Sequence, residues 1–230
     1  MKAMILAAGL GERMRPLTDH TPKPLLEVAG IPLLEHHIRR LGAAGYRELV
    51  INVSHLGEQI ETYCESGSRW GVSIAFSHED QPLETAGGIQ RALPLLGNGP
   101  FLVVNGDIWT DYDFARLQGV TLSKATVAHL VMVDNPPQHP LGDFVMDAAG
   151  RVRARADGVT GMTYAGIGVF DRAFFAAVEP GKLRLRPLLD DAILAGVLGG
   201  EYYPGDWEDV GTPERLRLLD ARVRSSHSVC

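Results

Sequence analysis

The sequence predicts an α/β protein folded as a single three-layer sandwich, a mostly parallel mixed sheet between helical layers, extended by extra strands in the C-terminal half. Short apolar runs alternate with helical patterns through the first half of the chain, as βαβ units do. The first of these runs is continuous and flanked by glycines, which suits a parallel strand buried on both faces. No Pro/Gly/Ser-rich linker separates the halves, so the later strand-like runs extend the same sheet rather than building a second domain. The expected layout is Rossmann-like.

Met4 to Ala8 is the first strand. Lys2 followed by Ala3 to Leu10 also has the outline of a secretory leader, but Gly9, Gly11, Glu12, Arg13 and Arg15 cut the apolar stretch short. Ile31 to Ala44 is a helix: Pro32 suits its first turn, Ile31, Leu34, Ile38 and Leu41 share one face, and Gly42 and Gly45 mark its end. Leu49 to Val53 is the second strand and Leu56 to Cys64 the second helix. Val72 to Phe76 is a strand, Ala86 to Leu95 a helix, and Phe101 to Val104 a buried strand running into Asn105-Gly106-Asp107.

Beyond about residue 120, Thr126 to Val133, Phe144 to Met146 and Tyr164 to Phe170 read as strands, and Asn135 to Gly142 as a turn-rich loop. A helical pattern resumes at Pro187 to Leu198. The last helix starts at Thr212-Pro213-Glu214, a capping Thr followed by Pro at the first helical position. Residues 1–224 are expected to form one domain, in halves 1–120 and 121–224, with 225–230 as a frayed tail.

The 230 residues are 45% apolar and 22% charged, which excludes a disordered or fibrous chain. The net charge is −6 and no run of Lys or Arg forms a basic stripe, so polymeric nucleic acid is not an expected partner. No apolar run approaches the roughly 18 residues of a membrane span. The two cysteines, Cys64 and Cys230, give no disulfide framework, and a reducing, cytoplasmic setting fits.

The chemistry concentrates in the loop after the first strand, Gly9-Leu10-Gly11-Glu12-Arg13-Met14-Arg15, continuing to Thr21-Pro22-Lys23-Pro24-Leu25. Glycines just outside the carboxyl end of a parallel strand let backbone N–H groups approach phosphate oxygens. Arg13, Arg15 and Lys23 beside them suit a polyphosphate. Two common phosphate fingerprints fail here. The third glycine of G-x-G-x-x-G is Met14, and G-x-x-x-x-G-K-[ST] occurs nowhere in the chain.

Asp107 follows a buried strand and is expected over the same crevice, where a carboxylate must be hydrated, paired or metal-bound. Asp209, in Trp207-Glu208-Asp209-Val210-Gly211-Thr212, is a second candidate, and the two together suit Mg²⁺. Taken singly, each is as readily a turn or cap residue. Asp111 and Asp113 fall on that plainer side. The eight histidines form no metal-ligand spacing, His36-His37 included, and Cys64 sits on an apolar helix face as an inert thiol. In Leu83-Glu84-Thr85-Ala86-Gly87-Gly88-Ile89, Thr85 is positioned to cap a helix. The glycines there either admit a flat base or sugar, or only pack the helix on the sheet.

Met4 to Thr18 together with Pro22-Lys23-Pro24-Leu25 closely resembles the signature of the sugar-1-phosphate nucleotidyltransferases. Further landmarks agree in order: Asn52-Val53-Ser54-His55-Leu56, Leu83 to Gly88, Asn105-Gly106-Asp107, Tyr164-Ala165-Gly166-Ile167 and Asp209-Val210-Gly211-Thr212. The resemblance implies that a sugar 1-phosphate attacks the α-phosphate of a nucleoside triphosphate and pyrophosphate leaves. It implies Arg13, Lys23 and Asp107 as catalytic residues and Asp107 with Asp209 as ligands of a Mg²⁺ cofactor. It further implies a nucleotide site of Ala7, Ala8, Gly9, Gly11, Glu12, Arg13, Glu79, Pro82, Thr85, Gly88 and Asn105, and a sugar site of Gly142, Tyr164 and Gly166.

A phosphate nucleophile has a second pKa near 6 and needs no general base, which fits the lack of a catalytic His constellation. Within the family the compact length and the segments 82–88 and 164–167 are most similar to the members that join UTP to N-acetylmuramic acid 1-phosphate in bacterial cell-wall recycling. Other nucleotide and sugar pairs stay open: GTP with mannose 1-phosphate, UTP or dTTP with glucose 1-phosphate, CTP with an amino-alcohol phosphate. So does an inactive nucleotide-sugar-binding paralogue. Glu79 stands where relatives often carry a base-reading Gln, and its carboxylate suits the uracil N3–H. Three departures, at Glu84, Tyr164 and Leu185 to Leu189, point to an unusual sugar, whose carboxylate Arg184 or Arg186 would meet. The oligomeric state is not legible in the sequence.

Overall fold

The structure, a computed structural model, describes residues 1–227. β1 (Lys2–Leu6) opens the chain and is followed by a long loop that ends in an antiparallel pair of two-residue strands, β2 (Glu27–Val28) and β3 (Ile31–Pro32). Then come α1 (Leu33–Ala43), β4 (Glu48–Val53), α2 (Gly57–Cys64), β5 (Ser73–His78), α3 (Glu84–Leu96) and β6 (Phe101–Asn105). The second half contains β7 (Ile108–Thr110), β8 (Ala128–Val133), β9 (Phe144–Met146), β10 (Val152–Ala154), β11 (Thr163–Phe170), α4 (Leu185–Leu194), β12 (Leu198–Tyr202), β13 (Trp207–Asp209) and α5 (Pro213–His227).

Seven strands form the central sheet in the order β12-β8-β11-β6-β1-β4-β5, and β11 alone runs against the others. Alternate residues along each strand serve opposite faces. Ala3, Ile5, Ile51 and Val104 pack with Leu34, Ile38 and Leu41 of α1 and Ile60 of α2. Met4, Val50 and Val103 pack with Ile89 and Leu93 of α3 and Leu189 and Ile193 of α4. A third, smaller cluster, with Met14, Leu26, Trp109, Val210 and Leu219, fastens α5 to the loop after β1. This is the expected three-layer sandwich on a mostly parallel mixed sheet.

Several boundaries differ from expectation for local reasons. β1 stops at Leu6, because the Ala7 N–H turns to the Asn52 side chain, so Ala7 and Ala8 belong to the loop. Ile31 and Pro32 pair as β3, and α1 begins at Leu33. The helix expected to reach Leu198 ends at Leu194. Gly196 at φ +68 turns the chain, and Leu198 starts β12 parallel to β8. β9 pairs with β10 in a separate ribbon instead of joining the main sheet. Thr212 caps α5 as expected, its hydroxyl accepting from Arg215 N. Ser225 and Ser226, placed in the tail by sequence, are helical, and residues 228–230 lie outside the described residues.

His37 of α1 is buried, and its Nε2 meets Ile108 O at 2.9 Å. A carbonyl only accepts, so Nε2 carries the hydrogen and the ring ties α1 to the strand after Asp107. Burial lowers its pKa to about 4. The unfolded chain therefore binds the proton first, and stability drains as pH falls from about 6.5 towards 4. Urea unfolding should show a loss of roughly 2–3 kcal/mol across that window beyond what His37→Leu shows.

Candidate active site

The sheet order brings the carboxyl ends of β6, β1, β4 and β5 side by side, so the loops that follow them meet over one edge. Gly106 lets two of these loops close on each other: its N–H donates to Leu6 O at 2.9 Å, and a methyl group there would run into that carbonyl. Asp107 is thereby held beside the loop after β1. Lys23 Nζ donates to Asp107 Oδ2 at 2.7 Å. Lys23 is 9% exposed and the Asp107 side chain 38%, so a nearly buried ammonium meets a carboxylate that still faces the crevice.

The glycine loop is shaped by its own packing. Gly11 has φ +66, and Thr18 packs against it with the hydroxyl donating to Gly11 O at 2.8 Å. Met14 N also bonds Gly11 O, closing a short 3-10 turn over Glu12–Met14. Met14 is buried and Arg13 is exposed, with no hydrogen bond or ion pair among the described residues. Arg15 instead pairs with Asp19 at 3.4 Å. The loop thus offers Arg13 as an uncommitted cation.

β13 pairs antiparallel with β7, Asp209 opposite Ile108, and Val210 N donates to Asp107 O at 2.9 Å. The two aspartates singled out by sequence are therefore neighbours across a short ladder despite their distance along the chain. Each carboxylate engages a cation through Oδ2, Asp107 with Lys23 and Asp209 with Arg215 Nη1 at 2.8 Å. Arg215 was not legible as a site residue. Gly211 makes room for it, since a Cβ there would collide with the guanidinium. Among the described residues no group of three or more His, Cys, Asp or Glu side chains gathers to hold a metal.

Thr85 does not cap α3. The helix starts at Glu84 after Leu83, no side chain caps it, and Thr85 lies half-buried in the first turn, with Pro82 half-buried just before it. Ala86 N and Gly87 N bond Leu183 O, so the strap at 181–184 occupies the head of the helix. Both glycines have packing reasons. A methyl on Gly87 would run into Gly181 O, and one on Gly88 would lie 2.6 Å from Glu79 Oε1. Glu84 keeps a left-handed φ of +61 and faces Lys182 and Arg184 at 4.0 and 3.9 Å.

Glu79 is 5% exposed, with Oε1 accepting from Asn52 Nδ2 at 2.7 Å and Oε2 from Leu83 N at 2.8 Å. Asn52 belongs to a segment that resembles the family, yet its residue type does not mark it as a site residue. Its position, last but one in β4, is the signal that could have found it.

In the second half, Gly166 has φ +73 at the register irregularity of β11, and a Cβ there would lie 2.6 Å from Asn105 Nδ2. Gly142, φ +68, is pressed against Asn135 and the 161–162 backbone. Tyr164 N donates to Asp143 Oδ2 at 2.9 Å, and burial followed by that carboxylate pushes its phenol pKa up. Arg186 pairs with Asp190 on α4 and lies over the Phe144 ring at 4.6 Å, whereas Arg184 is 80% exposed. Cys64 is buried and its thiol is pushed up to about 12, so it offers no nucleophile. No helix among the described residues is long and apolar enough to cross a membrane.

The family model for nucleotidyl transferases matches residues 2–225. The N-acetylmuramate alpha-1-phosphate uridylyltransferase of Neisseria meningitidis serogroup B is 50% identical over 225 residues, 96% of this chain and 97% of that protein. The Caulobacter vibrioides protein of the same name is 35% identical over 232 residues, 96% of each chain. A solved structure from Bacillus anthracis, provisionally assigned as a glucose-1-phosphate thymidylyltransferase and holding a sucrose, shares the fold. It superposes with a TM-score of 0.86 at 23% identity over 97% of this chain and 95% of that one.

The contact of Asn105 with Gly166 gives a direct check on how the two halves meet. Gly166→Ala should lower the unfolding free energy by about 1–3 kcal/mol in urea, because it both strains a left-handed position and displaces Asn105.

Proposed function

The chain belongs to the nucleotidyl transferase family, and from that membership we propose that it transfers the uridylyl group of UTP to N-acetylmuramic acid 1-phosphate. A non-bridging oxygen of the sugar phosphate attacks the α-phosphorus, the bond to the β-phosphate breaks, and pyrophosphate leaves with UDP-N-acetylmuramic acid as product. The observation that carries the chemistry is the meeting of Lys23 with Asp107 beside a glycine loop whose Arg13 has no partner among the described residues. The substrate pair rests on the two relatives named for it, matched along nearly their full length.

Ala7, Ala8, Gly9, Gly11 and Glu12 form the cradle for the triphosphate, and Arg13 holds its charge. Lys23 neutralises charge on the reacting phosphates. Such fixed cations act with no reorganisation at the moment of reaction. Pro82, Thr85 and Gly88 line the base and ribose, with Asn105 at the junction to the sugar. Gly142, Tyr164 and Gly166 receive the sugar. Arg186 of α4, over the ring of Phe144, which follows Gly142 by two residues, is better placed for the lactyl carboxylate than the outlying Arg184.

The residues fit Mg²⁺. Two neighbouring carboxylates, Asp107 just before β7 and Asp209 at the end of β13, each keep Oδ1 free of protein hydrogen bonds among the described residues, and phosphates and water would complete the coordination. Asp107 and Asp209 would hold the ion, which when bound supplies electrostatic stabilisation of the phosphate oxygens. These substrates place the protein in the bacterial cytoplasm, in recycling of cell-wall sugars.

Pyrophosphate release in Mg²⁺, with four nucleoside triphosphates crossed against muramic, glucosamine, glucose and mannose 1-phosphates, tests the reading. Turnover confined to UTP with N-acetylmuramic acid 1-phosphate is expected. Efficient turnover of another pair would replace the substrates, and nucleotide binding without turnover would favour an inactive paralogue. Lys23→Met should lower kcat about 10²–10³-fold while the protein stays folded. Asp107→Asn and Asp209→Asn should each raise the Mg²⁺ concentration needed for half-maximal rate.

A further inference from the structure

Three chain segments, the loop after β1, the end of β4 and the stretch between β5 and α3, converge beneath the nucleotide crevice and are tied by one hydrogen-bonded chain. Ala7 N donates to Asn52 Oδ1 at 2.8 Å, Asn52 Nδ2 donates to Glu79 Oε1 at 2.7 Å, and Leu83 N donates to Glu79 Oε2 at 2.8 Å. Asn52 is 3% and Glu79 5% exposed. No Lys, Arg or His lies within ion-pair distance of Glu79 among the described residues. A buried carboxylate without a cation is a costly residue to retain where Gln has the same shape and no charge.

Hydrogen-bond parity supplies the reason. Both ends of the chain are backbone N–H groups, which only donate. Three contacts therefore have to be bridged by two side chains that between them present three acceptors and one donor. Asn contributes one acceptor and one donor, so its partner must accept on both sides, which a carboxylate does and an amide does not. The first turns of α3 rest directly on the pair. A Cβ on Gly88 would lie 2.6 Å from Glu79 Oε1 and 3.0 Å from Asn52 Nδ2, so any shift of the pair moves the helix head.

We infer that Asn52 and Glu79 form a parity-matched brace that fixes the glycine loop after β1 against the Pro82–Gly88 segment, making Glu79 a positioning residue for the nucleotide rather than the reader of its base. The inference rests on the nucleotide site proposed above. Both Glu79 oxygens already accept bonds that hold backbone in place, and losing either one leaves a buried donor unpaired.

A four-protein cycle tests it. Glu79→Gln alone sets two amide donors against each other, and Asn52→Asp alone sets two carboxylates against each other. The double variant restores parity with the roles exchanged: the new carboxylate at 52 accepts from Ala7 N and from the new amide at 79, whose oxygen accepts from Leu83 N. Each single variant is expected to lose roughly 5 °C or more in Tm and to raise the KM for UTP about tenfold, with a smaller change in kcat. The double variant should recover most of both losses and keep the wild-type preference for UTP over CTP.

A double variant no better than the worse single, or failing to fold, would overturn the brace, as would a Glu79→Gln protein indistinguishable from wild type. Recovery of Tm with loss of the UTP preference would show that the carboxylate reads the base and overturn the positioning role. Should wild type itself neither bind nor turn over any nucleoside triphosphate, the proposed function falls, while the Tm cycle still scores the brace.

Discussion

A nearly buried lysine ammonium in contact with a single carboxylate, Lys23 to Asp107, is the interaction on which the rest of the site depends. A charge so far from water is tolerable only when paired, and removal of its partner would leave it stranded. The pair exists because β1 and β6 are neighbours in the sheet and because Gly106, lacking a side chain, lets the turn after β6 close on Leu6 O. From Asp107 the connections spread outwards. Val210 N holds its carbonyl, the β7–β13 ladder brings Asp209, and His37 ties the next residue of the strand to α1. The glycine loop, the acidic pair and the C-terminal helix thus share one anchor.

The charged groups gathered here are fixed cations and carboxylates. Lys23 and Arg215 each take one oxygen of an aspartate, Arg13 is left uncommitted, and the nearby His37 is held neutral by burial for a structural purpose. Cys64, the free thiol of the described residues, is buried with its pKa driven up. A reaction whose nucleophile is already an anion near neutral pH needs nothing more than orientation and charge neutralisation. That is the chemistry of the family to which the chain belongs.

Much of this was legible before the structure because local signals agreed with the global fold. The apolar run at β1, the one-sided face of α1, the strand running into Asn105-Gly106-Asp107 and the Thr212 cap all behave as their residue types dictate. What escaped depends on contacts distant in sequence or on too few residues to show a pattern. β2 and β3 are two residues each, below any periodicity. β12 carries Gly199-Gly200, poor strand formers that find a place beside β8 only through the sheet. Thr85 has the type of a cap, yet the helix begins before it and Leu183 O takes the N–H groups of Ala86 and Gly87. Asn52 meets Glu79, and Arg215 meets Asp209, only once segments distant in the chain are brought together, which no spacing along the chain reveals.

In the reaction proposed, the sugar phosphate displaces pyrophosphate directly and in line at the α-phosphorus, with protein groups that position and neutralise but never bond to the nucleotide. The most direct measurement is the stereochemical course with UTP carrying a chiral α-phosphorothioate, read by ³¹P NMR of the product. A single displacement predicts inversion at phosphorus. Retention would require two displacements through a covalent nucleotidyl-protein intermediate, and would contradict direct transfer.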